Sequence, residues 1–335
     1  MANTAIKSLQ LGEKACGLCH TQGRTLRCSR CQVVYYCSPQ HQAEHRTKHK
    51  LACNKIAKSR HALEDEEREL HNMPEDEWFT GDPFNTCVGH FWKVTQTRPY
   101  MRARSMFLHA LMGVDSRESV QLQLDHARDM LRLNRSDNIG IRDAMPGALL
   151  QLGMDQECYD FIKWFETTGR QSDYDWGDLD NPYLDVKDAD AFESVDYICH
   201  RFLDACIGAG AMLVKVRMLL DLKDLESSKA TATPCGQLRS SIIAGNPDIL
   251  SRHDHRAAIR SLKVQVKNLY QATHTSNTHF WGALLQPEEH LHQMPGYYSH
   301  GDITEVQSKL RYIHPVWAMT PGALEMVEDI KKGKM

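Results

Sequence analysis

The sequence predicts a small zinc-stabilised finger followed by a mostly α-helical domain. Three observations carry that prediction. Eight soft metal ligands fall in four spaced pairs: Cys16-x2-Cys19, Cys28-x2-Cys31, Cys37-x3-His41 and His49-x3-Cys53. Beyond them, apolar residues recur at helical spacing. The composition is that of an ordinary soluble protein, with 40 Lys and Arg against 43 Asp and Glu and 41% hydrophobic residues.

The finger comes first. Zinc prefers Cys and His, and two tetrahedral ions need the eight ligands that the four pairs supply. Six of the eleven cysteines are among them. A secreted disulfide framework would also concentrate cysteines, but it would not carry the paired spacing on into His41 and His49, and no signal peptide is read ahead of them. His45 leaves one alternative open. Residues 41, 45, 49 and 53 line one helix face, so His45 competes with its neighbours as a ligand. So short a segment buries too little apolar surface to fold unaided. Metal binding and folding are therefore expected to be one event, worth on the order of 10–16 kcal/mol per structural site. Four protein ligands leave no coordination position for water, which makes the zinc structural.

Written as C-x2-C-x8-C-x2-C-x5-C-x3-H-x7-H-x3-C, with Val33-Val34-Tyr35-Tyr36-Cys37-Ser38 in its middle and His49-Lys50-Leu51-Ala52-Cys53 at its end, the segment resembles the MYND zinc finger. The resemblance implies two interleaved zinc sites. Cys16, Cys19, Cys37 and His41 would hold one ion, and Cys28, Cys31, His49 and Cys53 the other. His41 stands where the family usually has cysteine, which makes the first site Cys3His, and Arg46 stands where it often has tryptophan. The family is a protein-interaction module that often takes short proline-containing segments. Gln32, Val34, Tyr36, Gln42 and Arg46 are the peptide-binding candidates on this view. Val33 to Tyr36 alternate like a short strand whose edge accepts an extended peptide, although Tyr35 and Tyr36 have packing between the zinc lobes as an equal claim.

The finger is assigned to residues 1–56. Residues 57–80 are charged and read as a solvated helix passing into a linker, stopped near Pro74. Residues 81–335 make the helical part. Val120, Leu124, Ala127, Met130 and Leu131 share one face, with Ser119 or Asp115 as cap. After a turn at 134–138, a helix is expected over 139–152 with Gly153 as its stop. Further helices are expected over 155–166, 194–207, 211–226 and 255–273. Helices in pairs across short turns suggest stacked hairpins. The stretch 127–140 looks like the second helix and turn of a tetratricopeptide repeat (TPR), with Arg135 where such repeats usually carry proline. Residues 297–302, followed by 317–324, are similar to the tail of TPR-like proteins of fungi and bacteria. These resemblances imply a TPR-like helical-hairpin domain in a protein of the fungal kind.

Other features yield to plainer readings. The acidic loop at 173–180 fails as an EF-hand, because its sixth and twelfth positions are Asp178 and Leu184 rather than Gly and an acid. The pairs His253/His255 and His290/His292 lack a Cys partner or an HExxH helix and read as surface or packing residues. Trp164, Trp176, Trp281 and Trp317 read as core anchors. Cys87, Cys158, Cys199, Cys206 and Cys235 show no pairing rhythm and read as free thiols. No Walker loop, dinucleotide fingerprint or nucleophile elbow is present.

Three functional classes follow. An adaptor, whose finger takes a peptide segment of a protein partner, leads. A methyltransferase-related protein is suggested by the MYND fingers found within SET domains, but no Asn-His-Ser-Cys-like cofactor motif follows, so no enzymatic activity is expected. Nucleic-acid binding is suggested by Arg46, Lys48, Lys50, Lys55, Lys58 and Arg60, yet an acidic stretch comes directly after them. No apolar run is long enough to span a bilayer, and the cytoplasm or the nucleus is the expected compartment.

Overall fold

Ser38 and Pro39 start the helix on which the finger is built. The Ser38 hydroxyl accepts the His41 N–H at 3.2 Å, and Pro39 occupies the first turn, where its missing donor costs nothing. In this computed structural model, which describes residues 8–74, 80–231 and 237–335, that helix is α1, Pro39–His71. It runs unbroken through the finger's last ligands and on through most of the charged stretch. Residues 75–79, at the end of the expected linker, and Cys235 lie outside the described residues.

Two compact units emerge. One comprises Leu11–Arg142 with Asp175–Tyr183. It holds the hairpin of β1 (Leu26–Arg27) and β2 (Tyr35–Tyr36), then α1, α2 (Pro83–Thr86), α3 (Arg98–Leu111) and α4 (Arg117–Leu133). Helix α1 packs along α3, and Ile56, Ala57, Leu63 and Leu70 are buried. The cap of α4 is Ser116, not Ser119 or Asp115. Ser119 turns inward and donates to the Leu111 carbonyl at 2.7 Å, so its hydroxyl is already committed. Arg135, at the position where a repeat would carry proline, donates to the carbonyls of Asp178, Leu179 and Asn181. The acidic loop is thereby held by its backbone. The carboxylates of Asp175 and Asp178 accept N–H groups two residues on, as turns rather than as a cation cage.

The other unit comprises Asp143–Tyr174 and Leu184–Met335, with 8–10. Its elements are α5 (Met145–Gln151), α6 (Asp155–Glu166), α7 (Ala205–Thr231), α8 (Ser241–Ala244), α9 (Pro247–Ser251), α10 (Arg256–Ser276), α11 (Phe280–Leu285), α12 (Ile303–Ala318) and α13 (Ala323–Lys331). Helix α7 forms the axis of this unit and touches α5, α6, α8, α10, α12 and α13. Every residue from 205 to 219 is buried, as expected of a helix apolar on all sides. Lys215 and Arg217 are accommodated by partners: Lys215 donates to the Ala191 carbonyl at 2.6 Å, and Arg217 pairs with Asp155 at 3.0 Å. Helices α5 and α12 meet at Gly147, where an added Cβ would fall 1.9 Å from the Tyr312 carbonyl oxygen.

The helix expected over 155–166 forms with those bounds, and α10 covers the one expected over 255–273. The one expected over 194–207 does not. Ser194 and Asp204 bond to nearby N–H groups instead, and Asp204 caps α7 through Cys206 at 2.8 Å, so the chain turns there and helix begins only at Ala205. The segment 139–152 divides into a short 3-10 turn and α5, because the Asp137 carboxylate takes the N–H groups of Ile141 and Arg142. Gly153, at φ +74°, ends it as expected. Trp164, Trp281 and Trp317 are core residues, whereas Trp176 is only half-buried. Among the described residues no helix is long and apolar enough to cross a membrane.

Candidate metal centres and binding surface

Each zinc knuckle is built by the same local device. The carbonyl of Cys16 accepts the His20 N–H at 2.8 Å, and that of Cys28 accepts the Gln32 N–H at 2.9 Å. His20 and Gln32 take left-handed φ values of 58° and 62°, which close the turns and aim both cysteines of each pair inward. Gln32 therefore serves first as a turn residue. The second ligand pairs come from Cys37, just before α1, and from His41, His49 and Cys53, eight and four residues apart on one face of it.

Two groups assemble, and they interleave. Cys16, Cys19, Cys37 and His41 form one, and Cys28, Cys31, His49 and Cys53 the other, with all ligand atoms of a group within 4.8 Å of each other. For tetrahedral zinc, with Zn–S about 2.3 Å and Zn–N about 2.0–2.1 Å, ligand atoms should stand roughly 3.8 Å (S to S) and 3.6 Å (S to N) apart. The separations are 3.7 Å for Cys19–Cys37, 3.8 Å for Cys28–Cys53, 3.6 Å for Cys16–His41, 3.3 Å for Cys31–His49 and a shorter 3.1 Å for Cys37–His41. His41 faces its group through Nδ1 and His49 through Nε2. These are two Cys3His metal sites of the size and chemistry of structural zinc.

Electrostatics agrees with the donor set. At Cys16 burial works to raise the thiol, but the N–H groups of Cys19, Cys37 and Leu18 outweigh it and hold the group down to about 5. In the second group burial, then crowding by Cys28 and Cys53, pushes Cys31 up to about 12. Three buried cysteines crowded in this way become thiolates together only around a cation. Burial lowers His49, which keeps it the neutral imidazole that a ligand must be.

His45 joins neither group. Its ring stacks on His49 at 5.8 Å and its Nδ1 lies 3.1 Å from the Tyr36 hydroxyl, so it supports the ligand rather than replacing it. Gly17 leaves room for this packing: a Cβ there would stand 2.9 Å from Val34 and 3.4 Å from His45. Arg60 is a structural residue that its place in a basic run conceals. It donates to the carbonyls of Arg30 and Cys31 and clamps the second knuckle to α1.

The peptide candidates divide. Val34 and Tyr36 are buried, at 5% and 1% exposure, and their side chains pack inside the finger, out of reach of a partner. The strand edge is also taken. Tyr35 pairs with Arg27 of β1 on one side, and on the other its carbonyl accepts the Gly17 N–H at 2.8 Å. Gln42 and Arg46 are exposed on α1, and Gln32 is half-buried. A groove of about 510 Å³ runs between the finger and the α3–α4 turn, with Cys16, Val33, His45 and Lys48 on one wall and Val114 and Arg117 on the other.

A comparison with protein families matches the MYND finger to residues 16–53. No curated protein and no solved structure matches the chain.

Proposed function

We propose that this protein is an interaction adaptor whose zinc-folded finger recognises a peptide segment of a partner protein. The observation that carries the reading is the closure of both metal sites. Each ion would be enclosed by four protein ligands, so the metals shape a surface and leave no position for a substrate. Around that frame lie the groove, the exposed Gln42 and Arg46 of α1, and the half-buried Gln32. On this reading the chain is a binding protein and not an enzyme. A proline-containing segment suits such a groove because it arrives already extended.

The helical part would act as the scaffold. A TPR-like reading rests on α4 and the turn at 134–140, but the gathering of six helices around α7 among the described residues is unlike an array in which each repeat touches only the next. A DNA-associated role is the second reading, favoured by the cations of α1, and it would show the steep salt dependence of phosphate contacts.

The test is a capture experiment with the full zinc-loaded chain beside a Gln42→Glu/Arg46→Glu variant, the bound partner's contact segment then being remade as a synthetic peptide. The variant should keep both zinc ions and lose the peptide. A variant that binds every peptide as well as the parent chain, yet loses DNA, would move the assignment to the second reading.

A further inference from the structure

Helix α1 is electrically two helices. Between Arg46 and Lys58 it carries five cations and no carboxylate, and between Glu64 and Glu69 five carboxylates and one cation, Arg68. The acidic half is partly satisfied from within, by His61–Glu64 at 3.2 Å and Arg68–Asp65 at 3.0 Å. Among the described residues none of Arg46, Lys48, Lys50, Lys55 and Lys58 has an ion-pair partner, and all five are exposed. Leu51 stands among them with 82% of its surface open to water. Lys48, Leu51, Lys55 and Lys58 follow at intervals of three, four and three residues, so they share one face of the helix. Over ten residues that face is about 15 Å long, the reach of four or five residues of extended chain.

From this we infer that the face is a docking site for an acidic peptide with one large apolar side chain: carboxylates against Lys48, Lys55 and Lys58, and the apolar group on Leu51. The inference rests on the interaction reading above and names the chemistry of the partner. Two observations favour a peptide over nucleic acid. An apolar side chain sits at the centre of the cations, where a phosphate backbone has nothing to offer it. The five carboxylates beginning at Glu64 lie directly along the helix and would repel a polyanion that extends past Lys58.

The test uses the full zinc-loaded chain and a library of random twelve-residue peptides displayed on phage. Peptides with Asp or Glu flanking a Leu, Ile or Phe should be enriched, and as synthetic peptides they should bind at least tenfold more weakly to Lys55→Glu/Lys58→Glu and several-fold more weakly to Leu51→Ser. Both variants should retain two zinc ions and the parent's helical signal, because every altered side chain points into solvent. Enrichment of uncharged peptides, or of acidic ones indifferent to these substitutions, overturns the inference and leaves the adaptor function standing. Failure to enrich any peptide removes both. Tighter binding of a labelled 20-base-pair DNA than of the selected peptides, lost in Lys55→Glu/Lys58→Glu, overturns it in favour of nucleic acid. Sedimentation of the parent chain as a dimer that the same substitutions dissolve would mean that the face is filled by a second copy.

Discussion

The Ser116 hydroxyl donates to the Val33 carbonyl at 2.7 Å, joining positions eighty-three residues apart in the chain. The same oxygen accepts the Ser119 N–H at 3.2 Å and so caps α4. One side chain thereby ties the loop before β2 to the start of the fourth helix. With Arg60 clamping the second knuckle, the finger is built into the α1–α4 unit and does not hang from it as a separate bead.

Ser116→Ala should remove both bonds and cost about 1–2 kcal/mol, the sum of a lost cap and an unsatisfied carbonyl. Ser116→Asp should restore the cap but not the donation to Val33, and fall between the two in stability. Urea midpoints measure the order, and native mass spectrometry should find two zinc ions in all three proteins. Equal stability of the Ala and Asp variants would show that only the contact with Val33 matters.

The two metal sites should empty in sequence. Cys19 of the first group is exposed, whereas all four ligands of the second are buried. Limiting chelator should therefore give a one-zinc species before the apo chain, with hydrogen exchange rising first around 16–21 and 37–41. Full removal should then loosen α1 and α3 while α7 keeps its protection, since α7 lies in the other unit. His41→Ala should lose the first zinc, His41→Cys should keep it, and His45→Ala should keep both. Loss of both ions together in wild type would show that the sites are one cooperative cage.

How much of this was legible beforehand depended on how local the cause was. Ligand types and spacings are local, and the residues picked out by spacing alone are those that the chain brings within ligand distance. The fate of Val34 and Tyr36 was not local, because alternation shows that a strand has two faces but not which face the zinc lobes cover. Arg60 and Ser116 were missed since their partners are backbone carbonyls, which leave no mark in a sequence. The absent helix at 194–207 is a failure of propensity: the pattern of Val195, Ile198 and Leu203 fits a helix, but Ser194 and Asp204 compete for its N–H groups and win. Arg217 was invisible as a core residue because a lone arginine reads as surface.

Arg217 and Asp155 are both fully buried and pair at 3.0 Å, with Thr320 and Ser241 completing their bonds. Asp155→Ala should strand the guanidinium without water and cost about 3–5 kcal/mol. The double change Asp155→Leu/Arg217→Met removes both charges and should cost less than the single one. A double-mutant cycle on urea midpoints gives the coupling. If the double variant is the less stable, the pair is worth more than an apolar replacement.

The last prediction concerns acid. His126 of α4 accepts the Arg104 Nε–H of α3 at 3.0 Å and meets the Phe107 ring edge-on at 5.1 Å. Burial, then the charge of Arg104 and more weakly that of Arg60, lowers its pKa from the ordinary 6.5 to about 4, against the opposing pull of Asp125 and Asp129. The folded chain thus keeps His126 neutral where the unfolded chain protonates it. Stability supplied by the neutral ring is complete above about pH 6.5 and is lost as pH falls towards 4, to a limit of about 3 kcal/mol before solvent screening. His126→Gln preserves an acceptor for Arg104 but cannot titrate, so its urea midpoint should fall less than the parent's between pH 7 and pH 5. Parallel curves for the two proteins would show that the acid sensitivity lies elsewhere, in the zinc ligands or the carboxylates.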